Sequence, residues 1–255
     1  MKLVLRTLKG VPLIKPGDPL DDIILSTLRK NRIKLRVNDI LVLAQKIVSK
    51  AEGRLVNLTE IVPSREAVEI AQQSGKDARF VELVLRESKA ILRVRPGLII
   101  VEHRCGFICA NAGVDHSNVQ GDWGNPEDWV LLLPEDADRS AKKLQEKLEQ
   151  KCGVRLGIMI IDSHGRAWRM GTAGVAIGLA GVPGLVDLRG QPDLFGYHLR
   201  VTQVAAADEL AAAASLIMGQ AAEGSPIIHV RGFPYALRES NITELLRPKE
   251  NDLFR

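Results

Sequence analysis

The chain is predicted to fold as a mixed α/β protein of the α+β kind. Short apolar runs suited to buried strands recur along it, and helix-periodic segments lie between them. Of its 255 residues, 45% are apolar and 26% charged, the balance of a globular domain that buries a core without disulfides. No apolar stretch is long enough to span a bilayer, which needs about 18 residues or more.

Residues 3–8 read as a strand, broken by Gly10 and Pro12. Asp18 before Pro19 reads as a helix cap with proline at the first helical position, and Leu20, Ile23, Ile24 and Leu28 continue at helical spacing. Asp39–Gln45 is a buried strand running into a polar, glycine-ended segment, 46–54. Ser64 and Asp77 each cap a helix, reaching about 74 and 88. Strands are expected near 90–94, 98–102 and 106–111, and residues 113–126 have the composition of a loop. A strand near 130–133, a charged helix over 135–151 and a buried strand over 154–161 follow. The six glycines of 171–190 indicate close backbone approach or tight turns and make this segment the candidate hinge or interface of one 1–255 unit with two subdomains. An alanine-rich helix over 201–218 and a strand over 226–230 precede a polar, peripheral tail.

The net charge of +4 comes from 35 basic and 31 acidic residues that are interspersed, so no nucleic-acid arm is expected. The first residues lack the apolar core of a signal peptide. Three cysteines without paired spacing fit reduced thiols and a cytoplasmic location.

Two polar clusters follow apolar strands: residues 111–118 (NAGVDHSN) and 162–166 (DSHGR). Carboxylates at strand ends often face a cleft, and Asp115 and Asp162 with neighbouring hydroxyl and amide oxygens suit a hard cation. The competing reading is that both aspartates only cap turns. Lys50 is either a phosphate counter-charge or a solvated loop lysine. His116 and His164 are either acid–base groups or loop hydrogen-bonders. Arg166 and Arg169 are candidate carboxylate clamps. Trp123 and Trp129 either stack on a heterocycle or pack down their loop. The Walker and G-x-G-x-x-G phosphate motifs are absent.

In order along the chain, Gly10–Ile14, Val48–Arg54, Asn111–Val119, Leu132–Pro134, Asp162–Arg169, Gly171–Gly184, Asp193–Gly196, Ala207–Glu209 and Val230–Gly232 resemble the coenzyme F-420-0:L-glutamate ligase family, to about residue 235. That resemblance implies a two-part, non-P-loop α/β fold and an intertwined homodimer. It implies a GTP-dependent amide ligation of the coenzyme F-420 precursor to L-glutamate through an acyl phosphate, further gamma-linked glutamates being an option. Mg²⁺ or Mn²⁺ is implied as cofactor, with a monovalent cation a further candidate, and neither a nucleic acid nor a membrane as partner.

By position, the resemblance assigns Val11, Pro12, Leu13, Ile14, Gln45, Lys50 and Asn118 to the nucleotide. It adds Met218, Gly219, Gln220, Ala221, Ala222, Glu223, Gly224 and Ser225. Asp115, Asp162, Ser163 and Gln220 fall to metal, and Asp115, Asp162 and Lys50 to catalysis. Two positions depart from the family pattern: Gln45 stands where serine is expected, and Gln220 where an acidic ligand is expected. Residues 121–128 look like an insertion. The rival readings are an amide ligase of the same fold with another acceptor or nucleotide, and a non-catalytic nucleotide-binding protein.

Overall fold

The computed structural model describes residues 2–253. Its centre is a five-stranded sheet in the order β1 (Val4–Thr7), β12 (Ile227–Arg231), β2 (Ile40–Ala44), β8 (Gly157–Arg166), β9 (Arg169–Ala180). Only β2 and β8 run parallel; the other neighbours are antiparallel. β2 and the first half of β8 are buried on both faces, so they read as continuous apolar runs. Leu41, Leu43, Ile158 and Ile160 face one core, which α1 (Leu20–Lys30), α2 (Gln45–Ala51) and α5 (Ala137–Cys152) cover. Ile40, Val42, Met159 and Ile161 face the other, covered by α6 (Ala206–Met218).

A third core lies between α2 and α5 in the chain. It gathers α3 (Arg65–Ser74) and α4 (Ala78–Arg86) with the sheet β4 (Ser88–Arg95), β5 (Leu98–His103), β6 (Ile108–Ala110) and the ribbon β3 (Leu55–Asn57), β7 (Trp129–Leu131). Ser64 and Asp77 cap α3 and α4 as expected, accepting from the N–H groups of Ala67 and Arg79. Arg54 ties this core to the rest: its Nε donates to Leu133 O (2.9 Å) and its Nη2 to Glu87 (2.8 Å). Phe107 packs on both the first and third cores. A second ribbon pairs β10 (Val186–Asp187) with β11 (Gln203–Val204).

Several expectations are corrected. Pro19, in an extended conformation, is itself the cap residue of α1, and Asp18 instead accepts the Lys15 N–H within the preceding turn. The polar segment after β2 is largely helix α2. β8 continues past Ile161 to Arg166 because β9 pairs with it almost to the hairpin tip, so Asp162 and Ser163 lie within a strand. The glycine-dense segment is largely β9 and its following turn. A Cβ at Gly178 would lie 2.5 Å from the backbone of Ala137, and one at Gly174 2.6 Å from Ala211 O. The close-approach reading therefore holds: α5 and α6 press on opposite faces of this strand. The tail is not merely peripheral: Ile242 is buried, and Asp138 accepts its N–H. The three cysteines are free thiols. Among the described residues, no helix is long and apolar enough to cross a membrane.

Candidate functional site

The parallel pairing of β2 with β8 stops at Ala44 and Ile161, where β2 ends and β8 runs on paired with β9 alone. Ligands in open α/β sheets settle outside such strand ends. Ala44 N–H donates to Pro226 O at 2.9 Å, which draws the 218–226 segment to this end of β2. The third core supplies the opposite wall. There Asp115 forms an isolated bridge with Leu131, donating and accepting at 3.1 and 2.9 Å, so its backbone is fixed.

The result is a cleft of about 970 Å³, at the upper end of small-molecule sites. It is lined by Leu13, Ile14, Gln45, Lys50, Asp115, Asn118, Asp162, Ser163 and all of residues 218–225. The two polar clusters, 47 residues apart when counted from Asp115 to Asp162, thus face one space. Two assigned residues do not line it: Val11 packs against the first core and Pro12 is exposed. Gln45 is buried and its Oε1 accepts the Ser49 hydroxyl at 2.9 Å, so its amide is engaged within α2.

Asp115 is held on every side. Its Oδ1 accepts the Ser117 N–H (2.8 Å), and its Oδ2 accepts Lys46 Nζ (2.6 Å) and Ser117 Oγ (2.8 Å). Burial pushes its proton affinity up, but the Lys46 and Ser117 hydrogen bonds and the Lys46 charge together outweigh burial and hold the carboxyl below its ordinary range. Lys50 Nζ donates to Asn118 O at 2.7 Å; burial, and then the charge of Lys46, lower its affinity for its proton. Asn118, in a left-handed conformation, reaches across the cleft to Ala221 O at 3.0 Å.

On the other wall Asp162 Oδ2 meets His164 Nε2 at 3.1 Å, and the His164 ring lies 5.5 Å from that of Phe107. Ser163 Oγ donates to Gln220 Oε1 (2.7 Å), whose Nε2 donates to Ser215 Oγ (2.8 Å). Asp115, Asp162, Ser163 and Gln220 offer only hard oxygen donors, the set that suits Mg²⁺ or Mn²⁺. Among the described residues no three or more His, Cys, Asp or Glu converge as a ready metal cluster. An ion here would rest on two carboxylates, a hydroxyl and an amide oxygen.

His116 turns away from the cleft: it stacks on Phe80 at 5.6 Å and lines a separate small cavity with Val119, Pro126 and Glu127. Arg166 and Arg169 sit at the exposed end of the β8–β9 hairpin, outside the cleft, with Arg166 bonded to Met170 O. Trp123 and Trp129 pack edge to face, and Trp129 Nε1 donates to Trp123 O. Sequence reasoning missed Lys46. Its place directly after a buried strand, beside the nucleotide-assigned Gln45, was the available signal.

The fold and cleft define an α/β protein with an oxygen-rich small-molecule site where the parallel pairing of β2 with β8 stops. Residues 10–232 match the F420-0:Gamma-glutamyl ligase family, and the chain belongs to it. It is 46% identical, over the full length of both chains, to the coenzyme F420:L-glutamate ligase of Methanothermobacter thermautotrophicus. It is 44% identical to the enzyme of that name from Methanopyrus kandleri, over 97% of each chain. The corresponding Archaeoglobus fulgidus protein is 41% identical, over all of this chain and 97% of its own.

Proposed function

We propose that the chain joins L-glutamate to the coenzyme F-420 precursor by an amide bond, using GTP. The observation that carries this reading is the end-to-end similarity to proteins named for that ligation, on a chain whose assigned polar residues share one cleft.

The chemistry asked of the site is two displacements. A carboxylate oxygen of the precursor attacks the γ-phosphorus of GTP, the bridging P–O bond breaks, and GDP leaves with that electron pair. The glutamate amine then attacks the acyl carbon of the resulting acyl phosphate, inorganic phosphate departs, and the amine gives up a proton. Catalysis of this kind is mostly positioning and charge stabilisation. Residues 218–225, with Leu13 and Ile14, frame the nucleotide. Lys50 supplies fixed positive charge toward the phosphates, and Asn118 links the two walls over them. Mg²⁺ or Mn²⁺, held by Asp115, Asp162, Ser163 and Gln220, would offset phosphate charge during transfer. His164 lines the cleft, and with its Nε2–H turned to Asp162 its Nδ1 is the nitrogen that would take the amine's proton. Gln220 contributes oxygen without charge, which lowers the site's attraction for a cation relative to a carboxylate.

The chain is further proposed to work as a homodimer, supported by the apolar side chains Trp168, Met170, Leu194 and Phe195 that a single copy leaves exposed. Incubation with the precursor, glutamate, GTP and Mg²⁺ or Mn²⁺ should yield GDP, phosphate and a product heavier by one or more glutamyl units in mass spectrometry. Asp115→Asn and Asp162→Asn should each lower turnover at least about a hundredfold, the scale of losing one charge-stabilising group. Full activity in both variants would remove the cation assignment.

A further inference from the structure

Lys46 stands in the first turn of α2, and its ammonium is ringed by oxygens of the opposite wall. Nζ lies 2.6 Å from Asp115 Oδ2, 2.6 Å from Ser117 O and 2.6 Å from Ser117 Oγ. An ammonium has three protons, and these contacts use all of them. The ion pair is partly shielded, with side-chain exposures of 22% for Lys46 and 41% for Asp115.

A divalent cation ligated by Asp115 would sit about 2.1 Å from the carboxylate oxygen. That places it within roughly 5 Å of Nζ if the lysine stays, where like charges repel strongly in a partly desolvated cleft. Lys50 stands nearby and adds a second positive charge, held to Asn118 O. Gln220 provides no compensating negative charge. The carboxylate therefore has two suitors, one covalently tethered and one diffusing.

We propose that Lys46 is a built-in competitor for the cation at Asp115, released from the carboxylate only when nucleotide phosphates enter the cleft and offer the ammonium another anion. This rests on the reading of Asp115 as a cation ligand and of the cleft as a nucleotide site. Cation uptake is then coupled to nucleotide uptake. The cation alone binds weakly because it must displace Lys46 with nothing to receive it. With a triphosphate present the lysine moves to the phosphates, and Asp115 becomes free to ligate. The coupling is reciprocal, as any linkage between two ligands must be.

The test is Mn²⁺ binding, followed by equilibrium dialysis as the Mn²⁺ held on the protein side in excess of that in the same buffer and nucleotide without protein, with no turnover involved. Wild type, Lys46→Met, Lys46→Arg and Asp115→Asn are titrated with Mn²⁺ alone and with Mn²⁺ plus guanosine 5′-(β,γ-imido)triphosphate. Lys46→Met should bind Mn²⁺ alone at least tenfold more tightly than wild type. The nucleotide-induced gain in affinity should shrink by a similar factor in that variant. Lys46→Arg, which keeps the charge, should stay near wild type. Circular dichroism and thermal melts establish that each variant folds. Equal or weaker binding of Mn²⁺ alone by folded Lys46→Met overturns the proposal, since a lysine that merely braces the 115–118 turn would act in that direction. If Asp115→Asn leaves Mn²⁺ binding intact in the presence of the nucleotide analogue, the ligand assignment itself fails, and the proposal with it.

Discussion

Asp39 and Asp115 lie near opposite ends of β2, and the contrast between them shows how one residue type serves two purposes. Asp39 is almost wholly buried and accepts from the Arg36 N–H (2.9 Å), from His229 Nε2 (2.8 Å) and from Arg231 Nε and Nη2 (2.8 and 2.6 Å). Burial alone would raise its proton affinity, but the Arg231, His229 and Arg36 hydrogen bonds more than reverse this and hold the carboxyl well below the usual range. Asp115 has comparable partners but faces the cleft. The first carboxylate closes its own network; the second has an oxygen that a ligand can compete for. Asp39→Asn should therefore leave nucleotide binding near wild type while lowering stability by about 3 kcal/mol near neutral pH, the scale of breaking a buried ion pair. The sign of its pH dependence follows from the lowered folded-state affinity. The unfolded chain takes up this proton near pH ~4 and the folded chain only at lower pH. The stabilisation is thus complete above about pH 4 and is lost as pH falls from there through the folded-state value. Urea denaturation of both proteins between neutral and acid pH should show the gap closing in that window. A gap that stays constant would mean the network contributes through shape rather than charge.

Among the elements, those with local signals were legible. Ser64 and Asp77 announce α3 and α4 because capping is decided within three residues. The apolar runs announce β2 and the first half of β8 because both are buried on two faces. Helix α2 was not legible: seven residues are too few to show a period, and its lysines read as surface. The second half of β8 was hidden because its residues are polar and its strand character comes from pairing with β9, a non-local cause. The same division holds at the site. Asp115 and Asp162 stood out as strand-end carboxylates, whereas Lys46 gains meaning only from contact with Asp115, 69 residues away. His116 looked equivalent to His164 in sequence, but β7 and α4 turn it aside. Gly174 and Gly178 of β9 are steric requirements of helix packing. Gly178→Ala would drive a methyl against the Ala137 backbone and should cost about 2 kcal/mol, the scale of overpacking. Gly165→Ala on the neighbouring strand meets nothing within 4 Å and should change stability by less than about 0.5 kcal/mol. Chemical denaturation of the pair tests this, and equal effects would refute the packing account.

At the scale of the whole molecule, the cores arrange a wall on each side of the cleft and leave a surface that one copy does not use. The hairpin end carries Trp168 and Met170, the latter 96% exposed. The 190–201 segment carries Leu194 and Phe195, exposed to 97% and 94%. That second display is built rather than loose: Asp193 Oδ1 accepts the N–H groups of both Phe195 (2.8 Å) and Tyr197 (2.9 Å), and His198 Nδ1 meets Gly190 O at 2.8 Å. A turn that fixes its own backbone while pointing two large apolar side chains outward has paid their hydration cost without burying them. In the homodimer proposed above, a two-fold contact would use this same patch twice. Light scattering at micromolar concentration should therefore give twice the 28.0 kDa mass of the chain. Leu194→Asp with Phe195→Asp should shift the protein to the single-chain mass, because each introduced carboxylate would need an unpaired burial to keep the contact. Asp193→Ala, which frees the turn but keeps both apolar side chains, should weaken the dimer without abolishing it, since ordering the turn would then be charged to association. A wild-type protein that scatters as one chain across this range would leave the exposed pair without a self-contact to serve.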